Sequence, residues 1–290
     1  MNEEVVKNVS SELASNAIDY GFGKLAISVG FPKIAFLTPL AKGIILGLFE
    51  NCFNDYKQRV LSISENNKLE KATRIALQTF KELADNDQVE PAIMKIDEAY
   101  LNYAFEVAEH ATLESIRQSE LGKVDIIGRY YGGQFYKGNL DWQDMHQMIT
   151  MVGMLTFRQL VLIRLIVDGF PSLDKDLYVS NPSACVEINR LLDYGIWKTN
   201  GAAFGVNDSG AIQLKQLELT DYAKQVNEAL MLERLSRDEI MRTIESLRLS
   251  SDGTPQKIVT LDEYMKGRQW GSLKVDNGAL IINGGGAEIA

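Results

Sequence analysis

Residues 156–230 constrain the fold most, because their hydrophobic period changes in a fixed order: helix, short helix, helix, β-hairpin, helix. Thr156 and Gln159 stand at capping-box spacing and open a helix over residues 157–168, whose LVLIRLIV core is apolar nearly all round. Such a helix is central to its unit, and Gly169, Phe170 and Pro171 stop it. Asn181 followed by Pro182 sets a capping side chain before a proline suited to the first helical turn. The helix predicted over 183–193 exposes Glu187 and Arg190 and buries Val186, Ile188, Leu191 and Leu192, and Gly195 suits the positive φ that ends it. Residues 196–205 and 211–219 flank a glycine-containing loop at 206–210, which is a hairpin pattern, and Thr220 caps the last helix. This order is the outline of a winged helix-turn-helix module.

The charge of the outline opposes a DNA-reading role. Over residues 181–229 the cations Arg190, Lys198, Lys215 and Lys224 are outnumbered by Glu187, Asp193, Asp208, Glu218, Asp221 and Glu228. A wing that meets phosphates carries excess positive charge, and the whole chain is at −9. If the module did enter a major groove, Asn189, Arg190 and Lys198 would be its candidate nucleic-acid contacts. The alternative is the same shape used for protein contact, since a fold does not fix a function. Nucleic acid is therefore not an expected partner.

The N-terminal half is helical by a different pattern. Residues 34–49 (IAFLTPLAKGIILGLF) are almost wholly apolar, yet Lys33, Lys42 and Pro39 interrupt them, and a spanning helix needs about 18 or more apolar residues. Segment 21–53 is read as a Gly/Pro-broken helical hairpin packed on the amphipathic helix 67–83, with Gly43 and Gly47 available for close helix approach. Phe36, Leu40, Ile44 and Leu48 form its candidate membrane or partner surface. Further helices are expected over 92–108 and 112–131, the second broken by Gly132 and Gly133. Asp141 caps a methionine-rich helix, 142–155, in which Met145, Met148, Met151 and Met154 read as soft core filling. Beyond residue 250 come a turn, a small hairpin around Asn277 and Gly278, and the terminal run Gly284, Gly285 and Gly286, read as a loose end. The expectation is a mostly α chain: a helical domain over 1–138, a winged-helix-like module with one β-hairpin over 141–249, and a flexible tail over 250–290.

No catalytic constellation stands out. Cys52 and Cys185 are far apart and flanked by apolar residues, which fits buried reduced thiols and a cytoplasmic setting, with the inner-membrane surface as the other location for segment 21–53. Residues 1–14 lack a basic stretch followed by an apolar run, so no secretory signal is expected. Glu106 and His110 fall four apart on one predicted helix, but with no second histidine nearby they read as a surface pair. His146 is adjacent in pattern to Asp144 and cannot share its face. No nucleophile elbow and no phosphate loop is present. The residues therefore point to a non-enzyme without metal or cofactor.

Residues 39–50 (PLAKGIILGLFE), continuing through 55–59 (DYKQR) and the charged helix to Phe80, resemble the start of the bacterial abortive-infection alpha family. Residues 98–108, 115–128 and 155–160 (LTFRQL) are similar in layout, with paired helices leading to a leucine-rich one and a compact C-terminal module. The resemblance covers about half of the chain. It implies a helical, phage-defence-linked protein and supplies no site residues. The partner expected on this reading is another protein, with a second copy of the chain and a membrane surface as further candidates; a transcription regulator is the alternative.

Overall fold

The computed structural model describes residues 20–31, 39–59, 61–87, 89–95, 98–137, 141–167, 178–179, 181–199, 212–213, 217–247, 249–250, 274–276 and 279–281. They are mostly helical, and the chain divides into two compact units, Met1–Leu155 and Thr156–Ala290.

The first unit contains α1 (Tyr20–Ser28), α2 (Pro39–Lys57), α3 (Ile63–Asp87), a 3-10 turn (Ala92–Lys95), α4 (Glu98–Arg117), α5 (Leu121–Lys137) and α6 (Trp142–Met154). Helix α3 starts at a reciprocal cap: the Ser62 amide donates to Glu65 Oε2 at 2.7 Å, and the Glu65 amide donates to Ser62 Oγ at 3.2 Å. Its buried stripe of Leu69, Ala72, Ala76, Leu77, Phe80 and Leu83 follows the helical period. Helix α5 lies along that stripe. A Cβ on Gly128 would sit 2.8 Å from the Ala72 carbonyl oxygen, and one on Gly132 would sit 2.8 Å from Ala76 Cα. Lys71 pairs with Asp125, the Phe80 and Tyr136 rings meet edge-on at 5.3 Å, and Lys137 pairs with Asp87 at 2.8 Å. Both sequences ascend through these contacts together, so α3 and α5 run parallel.

Around this pair, Phe49 of α2 meets Tyr131 at 5.3 Å and Phe135 at 5.9 Å, and Phe22 of α1 meets Phe53 at 5.9 Å. Phe31 stands 5.7 Å from Phe80. Helix α6 belongs to this first unit, since buried Lys123 donates to the Gly153 carbonyl at 2.8 Å in the last turn of α6.

Several expectations are corrected. Gly132 and Gly133 do not break a helix; both lie buried inside α5, and at Gly132 the α3 backbone passes too close for a side chain. No boundary falls between Ala108 and Thr112, where the buried positions Ala104, Val107, Ala108, Ala111 and Ser115 keep the helical period unbroken. The chain turns at Gln118 instead, where the Gln118 amide bonds back to the Ser115 carbonyl. Pro39 kinks nothing in the described structure, being the first residue of α2, where its missing amide costs no helix bond. A Cβ added to Gly43 would meet nothing within 4 Å, so this glycine provides no close crossing.

The second unit holds α7 (Phe157–Val167), β1 (Tyr178–Val179), α8 (Pro182–Asp193), β2 (Trp197–Thr199), β3 (Ile212–Gln213), β4 (Leu217–Leu219), α9 (Asp221–Ala229), a 3-10 turn (Leu232–Arg234), α10 (Arg237–Leu247), β5 (Leu249–Ser250), β6 (Lys274–Asp276) and β7 (Ala279–Ile281). Helix α7 is buried along most of its length and packs against α8, α9 and α10. The caps fall where the sequence places them: Thr156 with Gln159, Asn181 before Pro182, and Thr220 accepting from the Ala223 amide. Gly195 has φ +70°. Strands β2 and β4 pair antiparallel, with Lys198 opposite Glu218; the loop at 206–210 lies outside the described residues.

The β-structure exceeds the single hairpin expected of the module. A three-stranded antiparallel sheet runs in the order β3–β1–β5; beyond the module, β6 pairs antiparallel with β7, where the sequence led to a small hairpin, and residues 277–278 lie outside the described ones. Two-residue strands such as β1 carry no readable alternation, so only tertiary pairing reveals them. The glycines at 284–286 lie outside the described residues.

The Gly132 contact predicts opposite outcomes for two helical glycines. Gly→Ala in an open helix position stabilises by about 1 kcal/mol. Gly43→Ala should therefore raise the urea midpoint. Gly132→Ala should lower it, with a net loss of about 2 kcal/mol, because the added methyl meets backbone that cannot rotate away.

Candidate functional site

Helix α8 is the element on which the winged-helix reading turns. Its inward face is Ala184, Cys185, Ile188 and Leu191, a phase shifted from the expected one. Val186 is 53% exposed rather than buried, and Glu187 is largely covered because it binds Arg158. The same guanidinium donates to Ser183 Oγ at 2.9 Å, and the Gln159 amide group donates to the Glu187 carbonyl at 2.9 Å. The Cys185 thiol points inward and donates to the Val179 carbonyl at 3.2 Å. These contacts hold α8 against α7 and β1, which fixes the face it shows to solvent.

That outward face consists of Ser183, Val186, Arg190 and Asp193, at steps of three and four. Of the candidate nucleic-acid contacts, Arg190 is exposed on it and Asn189 is half-buried beside it. Lys198 stands on β2, with its ammonium 3.2 Å from Glu218 of β4. Arg158 of α7 and Lys198 of β2 are thus neutralised by their own unit, and the helix face is of mixed polarity about an exposed valine.

The candidate membrane surface is placed differently. Leu48 is buried, as are its neighbours Ile45, Phe49 and Phe53, so it contributes to the core. Leu40 and Ile44 lie on α2, but their side chains are outside the description, and Phe36 lies outside the described residues. Among the described residues no single helix is long and apolar enough to cross a membrane. Cys52 and Cys185 are both buried and unbridged. Burial, with Glu109 and Asp55 adding to it, pushes the Cys52 thiol up to about 12, so it remains a thiol at neutral pH.

The methionine helix divides along its length: Met145 and Met151 are buried, while Met154 is 64% exposed.

The sequence shows two isolated histidines; the structure brings them together. His110 of α4 and His146 of α6 lie with Nδ1 atoms 2.8 Å apart and stacked rings whose centroids are separated by 5.0 Å. Burial, then the charges of His146 and Arg117, hold His110 below the usual histidine range. A bond between two imidazole nitrogens requires one protonated and one bare Nδ1. The neighbouring carboxylates are engaged elsewhere. Glu109 accepts from Tyr56 at 3.3 Å and lies 3.7 Å from Arg59, whose guanidinium covers the Tyr56 ring. Glu114 accepts from Gln118 and occupies the space a Gly153 side chain would fill. Among the described residues, no three His, Cys, Asp or Glu side chains converge on one point. One signal in the sequence bears on the pair: the chain has two histidines in all, both on amphipathic helices.

Comparison with protein-family models, curated proteins and solved structures gives no match.

The two ion pairs of the second unit should differ in worth. Glu187→Gln strands a covered guanidinium and should cost about 1–3 kcal/mol of stability. Lys198→Ala removes an exposed pair and should cost under about 1 kcal/mol. Guanidinium denaturation of both variants measures the contrast.

Proposed function

We propose that this chain is a non-enzymatic, defence-related protein of the abortive-infection kind, acting through protein contact at a winged-helix-like second unit. The observation that supports this reading is the outward face of α8. In a groove-entering helix that face would carry unpaired cations and polar base contacts. Here an exposed Val186 sits between Ser183 and Arg190 with Asp193 at the end, and Lys198 and Arg158 are paired to Glu218 and Glu187. A small apolar centre within a polar rim is the composition of a protein interface.

The competing reading, a winged-helix transcription regulator, rests on exposed Arg190 and on the order α7, β1, α8, β2, β4. The two are separated by measuring duplex-DNA binding across a salt series with the full chain. The contact reading predicts affinity weaker than micromolar at physiological salt; nanomolar binding with a steep salt slope would favour the regulator. In a bacterial host, expression of the chain should lower phage plaquing efficiency, and Val186→Glu should restore it without unfolding the protein. Unchanged plaquing across a broad phage panel would sink the defence assignment.

A further inference from the structure

His110 on α4 and His146 on α6 are far apart in sequence, and the structure brings their Nδ1 atoms to 2.8 Å. We propose that His110 and His146 form a two-imidazole binding site for a late divalent transition-metal ion of the zinc, nickel or copper class.

Imidazole nitrogen suits these ions, whereas calcium and magnesium require clustered oxygen donors. Zinc binds imidazole nitrogen at about 2.0–2.1 Å, so two ligands of a tetrahedral ion stand about 3.3 Å apart. The observed 2.8 Å between the Nδ1 atoms is therefore short by about half an ångström. A small rotation of either ring opens that gap without moving a helix. The exchange balances without a net proton change. The imidazole that donates in the N–H···N bond passes to the tautomer protonated on Nε2, and both Nδ1 lone pairs then face the metal. Both rings are half-buried, so a face of each remains open to solvent.

Water completes the coordination. The site is thus open and exchangeable, and its mechanical effect is to clamp α4 to α6 in place of the hydrogen bond. This inference is independent of how the second unit acts.

The test uses the full chain with zinc and nickel alone in a non-coordinating buffer. The chain has two histidines, so its proton NMR spectrum carries one imidazole Hε1 signal from each. Zinc should shift both signals together and saturate at one equivalent, and nickel should broaden both. Calorimetry should give one site, weakened more than about tenfold in His110→Ala and in His146→Ala. Magnesium should neither shift the signals nor compete. Zinc should also raise the thermal midpoint of the wild type and leave that of His146→Ala unchanged. Histidine signals that stay fixed in zinc, or move one without the other, would overturn the site. So would undiminished binding by the two histidine variants, and the NMR result on the wild type stands even if a variant fails to fold.

Discussion

The first unit depends on bare backbone where α5 crosses α3. With no side chain at Gly128 or Gly132, the α5 main chain settles against Ala72 and Ala76, and glycine Cα–H groups face carbonyl oxygens. The closeness sets the register for everything beside it. It aligns Lys71 with Asp125 at one end and Phe80 with Tyr136 at the other. It also lets the Tyr136 hydroxyl donate to the Val89 carbonyl at 3.2 Å, tying down the chain that leaves α3. Beside the glycines, α5 offers Tyr131 and Phe135 to Phe49, so α2 is positioned by the same crossing. Dispersion among these rings is large in sum, but it needs the two helices to be near first.

Two lysines complete the arrangement by satisfying helix ends. Lys68 donates to the Ile116 carbonyl in the last turn of α4, and buried Lys123 donates to the Gly153 carbonyl in the last turn of α6. Terminal carbonyls lack partners within their own helix, and a cation there also meets the negative end of the dipole. Burial lowers the Lys123 ammonium below the usual lysine range, and the carbonyl bond offsets part of that desolvation. Once α6 is held this way, His146 comes to rest against His110. The candidate metal position is therefore a consequence of the packing of α4 and α6, which no local sequence motif encodes.

What was legible in the sequence was local. Capping side chains at Thr156, Asn181 and Thr220 sit within one helical turn of the groups they satisfy, so their pattern can be read directly. Gly195 and the β2–β4 pairing are likewise near-neighbour effects. What misled was long-range. Gly132 and Gly133 read as a break because glycine lowers helix propensity, and at Gly132 the compensation comes from α3, far earlier in the chain. Val186 and Glu187 exchanged places because Arg158, on another helix, covers the carboxylate. The histidine pair spans 36 residues and was invisible for the same reason. In the second unit the order of the elements was readable, while the pairing of Lys198 with Glu218, which bears on nucleic-acid binding, needed the register.

The central claim is the parallel, side-chain-free crossing of α3 and α5, and proton–proton contacts between the backbones test it most directly. With only glycine and alanine protonated in an otherwise deuterated chain, a nuclear Overhauser spectrum should show Gly128 Hα to Ala72 and Gly132 Hα to Ala76. Hα–Hα cross-peaks between Gly132 and Ala76 report backbone approach that no ordinary helix pair allows. Their absence would contradict the account, and so would the exchanged pattern, Gly128 with Ala76 and Gly132 with Ala72, that an antiparallel pair produces.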